Sequence, residues 1–148
     1  MAKLLILEDD AEQAVLLRDA LRRRGHDVEW KGTGSEALSR LAAGDIDLLI
    51  ADLIIYKDGE LTADGGLSLL GHIQQAAKHH QEDWALNLKV LAISGTVTRP
   101  GMSSILTNAK VLGAHDSLPK PIELPTLYAR VDQLLSETVE AAASSTTD

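Results

Sequence analysis

Four places along the chain carry side chains that could do chemistry together. Glu8-Asp9-Asp10 ends a short apolar run, and Asp52 sits inside the apolar stretch from Ile46 to Ile55. Ser94 closes another apolar run, and Lys120 stands in a Pro119-Lys120-Pro121 corner. A carboxylate such as Asp52 inside an apolar run is costly unless something compensates it. Several carboxylates in one place repel each other and hold raised pKa values. A divalent cation removes that conflict, and carboxylate, carbonyl and water oxygens suit Mg²⁺. Lys120 adds a point positive charge, and Ser94 adds a hydroxyl donor. Two cations, a hydroxyl and a nucleophilic carboxylate form a kit for phosphoryl transfer, whose demands are alignment and charge neutralisation. Each residue alone has a plainer reading. Asp52 could cap a strand end, the acids could complement a helix dipole, Ser94 could be a strand-end hydroxyl, and Lys120 a solvated lysine.

The elements that position them decide between the two readings. Lys3–Leu7 reads as a first strand, followed by a helix from about Ala11 to Arg24 that Gly25 stops. Asp27–Lys31 alternates as a second strand, with Val28 and Trp30 on one side. Ser35–Ala43 is a short helix closed by Gly44. The Ile- and Leu-rich run at Leu48–Ile55 has the pattern of a strand buried on both faces, hence parallel and central. A long polar segment, Tyr56–Ala63, precedes a helix that starts at Asp64-Gly65-Gly66, with Leu67, Leu70 and Ile73 at helical spacing. His79–Trp84 is a polar connection. Leu88–Ser94 is a fourth buried strand, a weak helix spans about Ser103 to Leu112, and Gly113–Leu118 is a short fifth strand. The last helix runs from about Leu124 to Val139, and Ala141–Asp148 is a frayed tail. Strands alternating with helices demand a parallel sheet with right-handed crossovers and helices on both faces. In such a sheet Glu8, Asp9, Asp52, Ser94 and Lys120 all fall at C-terminal strand ends, which converge on one crevice.

On these residues the sequence resembles a receiver domain of a two-component response regulator. The matching pieces are Leu5-Ile6-Leu7-Glu8-Asp9-Asp10, Asp47-Leu48-Leu49-Ile50-Ala51-Asp52-Leu53, Asp64-Gly65-Gly66-Leu67, Ala92-Ile93-Ser94-Gly95 and Gly113–Pro121. They run in the family's order from about Lys3 to about Leu135. Each alone is weak; together they are highly specific. The resemblance implies an α/β fold, a five-stranded parallel sheet doubly wound in the flavodoxin-like manner, alternating as (βα)5. It implies Asp52 as phosphoacceptor and metal ligand, Asp9 binding Mg²⁺ directly and Glu8 through water, and the Ile54 backbone carbonyl as a further ligand. Ser94 would bond the phosphoryl oxygen, Gly95 would let the backbone approach it, and Lys120 would pair with Asp52 and then with the phosphoryl group. Lys120–Pro121 would be a cis peptide. A histidine kinase or histidine phosphotransfer protein would be the phosphodonor, and signalling would go through protein–protein contacts with an unidentified downstream protein or a second copy as a homodimer.

The chain also departs from the family. The position three before the lysine, commonly aromatic, is Ser117, which has no ring to reorient. The loop after Asp52 is several residues longer than usual. Ile54, two residues after Asp52, is apolar and cannot orient a hydrolytic water, so a long-lived phosphoryl group is expected. Residues 1–140 are expected to form one receiver domain and 141–148 a disordered tail, with output through contacts because no output domain follows. Two rivals remain open: a receiver-like binding module that is not phosphorylated, and an aspartate-nucleophile phosphatase, which the apolar Ile54 disfavours. His79-His80 is not a metal pair, because adjacent helical side chains point apart. The 148 residues carry a net charge of −8 with no basic patch, which disfavours nucleic-acid binding. The absence of cysteine excludes disulfides and thiol chemistry. No apolar run spans a bilayer and no signal-peptide pattern opens the chain, so a cytoplasmic protein is expected.

Overall fold

The computed structural model describes residues 2–53, 56–57, 60–61, 65–94 and 113–146, with side chains described over 2–53, 65–93 and 113–137. Ile54, Gly95, the expected helix at 103–112 and the Ser94 side chain lie outside the described parts. In chain order the elements are β1 (Lys3–Leu7), α1 (Ala11–Arg23), β2 (Asp27–Lys31), α2 (Gly34–Leu41) and β3 (Leu48–Asp52). There follow β4 (Tyr56–Lys57), β5 (Glu60–Leu61), α3 (Gly66–Lys78) and α4 (Asp83–Asn87). The last three are β6 (Lys89–Ser94), β7 (Asp116–Pro119) and α5 (Leu124–Thr146).

Five strands form one parallel sheet in the order β2-β1-β3-β6-β7, while β4 and β5 make a separate two-residue antiparallel ladder. β3 is central because all five of its residues are buried, which only a strand covered on both faces requires. Alternation along the inner strands sends side chains into two cores. Leu4, Ile6, Leu48, Ile50, Leu91 and Ile93 meet Leu17 and Leu21 of α1 and Leu127, Val131 and Leu134 of α5. Leu5, Leu7, Leu49, Ala51, Val90 and Ala92 meet Ala37 and Leu41 of α2 and Leu69, Leu70, Ile73 and Ala76 of α3. Helices thus cover both faces, as the alternating pattern requires.

Local chemistry sets the helix ends near the site. Asp10 caps α1, its carboxylate accepting from the N–H groups of Glu12 at 3.0 Å and Gln13 at 3.4 Å. Gly25 follows the helix with a φ of 94°, a conformation that costs glycine little. Two elements differ from the sequence reading. The connection read as polar contains α4, because Ala85 is buried and Trp84 packs beside it on the second core. The last helix continues past Val139 to Thr146, through Glu140-Ala141-Ala142-Ala143, all good helix formers.

Candidate functional site

The C-terminal strand ends bring four charged side chains together. Glu8 and Asp9 follow β1, Asp52 is the last residue of the adjacent β3, and Lys120 comes directly after β7. The Lys120 ammonium donates to Glu8 Oε2 at 2.8 Å and to Asp52 Oδ2 at 2.9 Å. Both acids are almost fully buried, with side-chain exposures of 3% for Glu8 and 5% for Asp52, against 17% for Lys120. Glu8, Asp9 and Asp52 each offer a carboxylate oxygen within 4.8 Å of the others.

The backbone around the acids is held closely. The Glu8 N–H donates to the Lys31 carbonyl at 3.2 Å, carrying the β1–β2 ladder one residue past the strand. The Asp10 N–H donates to Glu8 Oε1 at 3.1 Å. Trp30 Nε1 donates to the Glu8 carbonyl at 2.7 Å. On the other side, the first residue of α3 lies against the Asp52 backbone. A Cβ built on Gly66 would collide with the Asp52 carbonyl oxygen and stand 2.8 Å from its carbon, so only glycine allows this approach. The Lys120–Pro121 bond is cis, as expected for the corner.

The electrostatics show a charge imbalance. Burial pushes the Glu8 carboxyl up to about 7, with the neighbouring Asp52 charge adding to it and Lys120 opposing it. Burial pulls the Lys120 ammonium down, but its bonds to Glu8 and Asp52 outweigh this and leave it raised. Among the described residues three acids thus face one cation, and a buried carboxyl tends to take up a proton near neutrality. An all-carboxylate set with an excess of negative charge is what a hard cation takes, so these residues fit Mg²⁺.

The described structure gathers Glu8, Asp9, Asp52 and Lys120 from the predicted set. Ser94 ends β6, paired in register with Pro119, the residue before Lys120, so its backbone stands on the same rim. Gly95 and the Ile54 carbonyl lie outside the described residues. Ser117 is half-buried within β7, its N–H donating to Asp116 Oδ1 at 2.8 Å, so the position expected to hold a ring holds a small hydroxyl. Two residues escaped sequence reasoning. The sequence places Trp30 on one side of a strand and assigns it no bond, and the glycine that matters sterically is Gly66. The pair Gly65-Gly66 just before the helical run of Leu67 was the available signal.

The comparisons agree with this geometry. The sequence profile of the response regulator receiver domain matches residues 4–132. The chain belongs to that family. It is 31% identical over 136 residues to the DNA-binding transcriptional regulator NtrC of Rhizobium meliloti (strain 1021), covering 92% of this chain and 24% of that protein. It is 30% identical over 135 residues to the transcriptional regulatory protein CpxR homolog of Haemophilus influenzae, covering 91% of this chain and 51% of that one. The chain therefore spans about a quarter to a half of these relatives. Among solved structures, the Francisella response regulator 1452 receiver domain superposes with a TM-score of 0.74 at 22% identity, covering 93% of this chain and 99% of that one. NtrX from Brucella abortus gives 0.78 at 24% identity, covering 99% of this chain and 29% of that one. These structural likenesses show the fold, the five-stranded parallel flavodoxin-like sheet with its helices. Among the described residues no helix is long and apolar enough to cross a membrane.

Proposed function

We propose that this receiver domain is a cytoplasmic phosphorylation switch in which Asp52 accepts a phosphoryl group from a histidine kinase or histidine phosphotransfer protein. The observation that carries the reading is the single ammonium of Lys120 shared between Asp52 at 2.9 Å and Glu8 at 2.8 Å inside a buried acidic cluster. An Asp52 carboxylate oxygen attacks phosphorus in line. The new O–P bond forms as the N–P bond to the donor imidazole breaks, and the electron pair leaves on that nitrogen. Lys120 holds Asp52 in one orientation before attack and follows the negative charge onto the phosphoryl oxygens afterwards. Ser94, on the same rim, donates to one of those oxygens, and Gly95 leaves the backbone room to approach. Glu8, Asp9 and Asp52, with the Ile54 carbonyl, would hold Mg²⁺, which when bound would neutralise charge developing on the phosphoryl group. The product biases a two-state equilibrium of the surrounding segments, and the signal leaves through protein–protein contact.

Ser117 supplies no ring, so the readout runs through Ser94, Lys120 and the neighbouring loops. Ile54 offers no group to orient water, so the phosphoryl group persists for longer than minutes; a half-life of seconds would contradict this. The decisive experiment treats the chain with a small phosphodonor and Mg²⁺ and weighs it intact. Wild type gains one phosphoryl group and Asp52→Asn gains none. A wild type that gains nothing would point to a binding module that keeps the fold without the chemistry.

A further inference from the structure

We propose that Trp30 is a positioning residue for the cation-binding carboxylates, because its indole N–H holds the peptide that joins Glu8 to Asp9. The inference rests on the cation site of the reading above. Between Leu7, the last residue of β1, and Asp10, the cap of α1, only Glu8 and Asp9 make the turn. A carbonyl in such a turn has left the strand ladder and needs another partner. Trp30 Nε1 supplies it at 2.7 Å, the shortest of four bonds on Glu8, of which the Lys120 bond at 2.8 Å is one. The others are Glu8 N–H to Lys31 O at 3.2 Å and Asp10 N–H to Glu8 Oε1 at 3.1 Å.

The peptide unit is planar, so fixing the Glu8 oxygen also fixes the Asp9 nitrogen. Both Cα atoms lie in that immobilised plane, so the points from which the two acids extend are held together. The indole is itself anchored, packed against the core of Leu4, Ile6, Leu17 and Val28. Phenylalanine could fill most of that space, whereas only a side chain with a donor at its tip can bond the carbonyl. β2 lies on the edge of the sheet and contributes no charged group to the acidic cluster. Its contribution is this bond and the Lys31 carbonyl. Partners that orient ligating carboxylates commonly change metal affinity by an order of magnitude when removed.

The test is Mg²⁺ affinity, measured by calorimetry on the full chain without phosphodonor. Trp30→Phe keeps the aromatic body and removes the donor. It is expected to weaken Mg²⁺ binding about 10-fold, while phosphorylation at saturating Mg²⁺ stays within about twofold of wild type. Trp84→Phe, at the other tryptophan, leaves affinity unchanged. A Trp30→Phe affinity within about twofold of wild type overturns the proposal. A second readout needs no variant: the indole N–H resonance of Trp30 in the wild type shifts along the Mg²⁺ titration, and that of Trp84 does not. A Trp30 resonance that stays still while Mg²⁺ binds also overturns it. A wild type that binds no Mg²⁺ at all overturns the cation site itself, and the proposal with it.

Discussion

Two ion-pair clusters sit on this sheet, and they are built on opposite terms. At the acidic end Lys120 bonds Glu8 and Asp52, with Asp9 close beside them, and both bonded acids are buried. Near the start of β1, Arg40 bonds Glu29 at 2.6 Å and Asp45 at 2.5 Å, and Lys3 bonds Asp45 at 2.8 Å. That second cluster has two cations for two acids, and its acids are 34% and 45% exposed. It has less at stake, because its acids are open to water, which competes for them. The first cluster is buried and, among the described residues, has more acids than cations, which is the condition for binding a cation and for titrating near neutrality.

The largest expected difference comes from removing the cation at each centre. Lys120→Ala leaves buried acids without their partner. It should lower metal-free stability by about 3 kcal/mol and slow phosphorylation by roughly 100-fold, with added Mg²⁺ recovering more stability than it gives wild type. Arg40→Ala should move the melting temperature by no more than about 3 °C and leave phosphorylation unchanged, and high salt should shrink even that effect. Chemical denaturation with and without Mg²⁺, and intact mass over time, measure both. An Arg40→Ala loss that matched that of Lys120→Ala would erase the distinction.

Two glycines of α3 sharpen the same contrast. Gly66→Ala forces a methyl group into the Asp52 carbonyl and should cost about 2 kcal/mol. A Cβ on Gly71 meets nothing within 4 Å, so Gly71→Ala should stabilise the protein by up to about 1 kcal/mol through helix propensity. Thermal melts of the two variants should therefore move in opposite directions.

The smallest effect is in pH dependence, where the two clusters have opposite signs. The Glu8 carboxyl is raised in the folded protein from its ordinary 4.5 to about 7. Its contribution to stability is present below 4.5 and is lost as pH rises through 7. Glu29 and Asp45 are lowered by their hydrogen bonds to Arg40, so their contribution is present above the ordinary carboxylate range and is lost as pH falls through it. Metal-free protein should melt higher at pH 5.5 than at pH 7.5, and Mg²⁺ should flatten that slope by holding Glu8 ionised. A metal-free melting temperature that rose from pH 5.5 to pH 7.5 would contradict the assignment.

Much of the frame was legible because it depends on local pattern. The runs at Lys3–Leu7 and Leu48–Asp52 carry their own strand signal, and parallel order then sends their terminal acids to one rim. What was not legible depends on which segments lie side by side. Nothing local tells that the Trp30 ring N–H reaches back to Glu8, since a tryptophan in an alternating strand is equally well explained by packing. The same is true of Lys120, expected to meet Asp52 but found also on Glu8. α4 was hidden because a polar composition masked Ala85 and Trp84, whose value appears only when α3 offers them a surface. The helical run to Thr146 rests on alanines whose small, polar neighbours read as a frayed end.

The reach of Lys120 has one more consequence. It follows β7 on the outer flank of the sheet, yet its ammonium ends on an acid after β1, with β6 and β3 lying between. Three interstrand spacings amount to roughly 14 Å, bridged by two side chains meeting over the rim. A single ammonium thus latches the flank to the far half of the sheet, independently of the backbone ladder. Whatever draws that ammonium toward a new anion resets the latch, and the amide protons of Asp116, Ser117 and Leu118 would be the first to register it by their exchange with solvent.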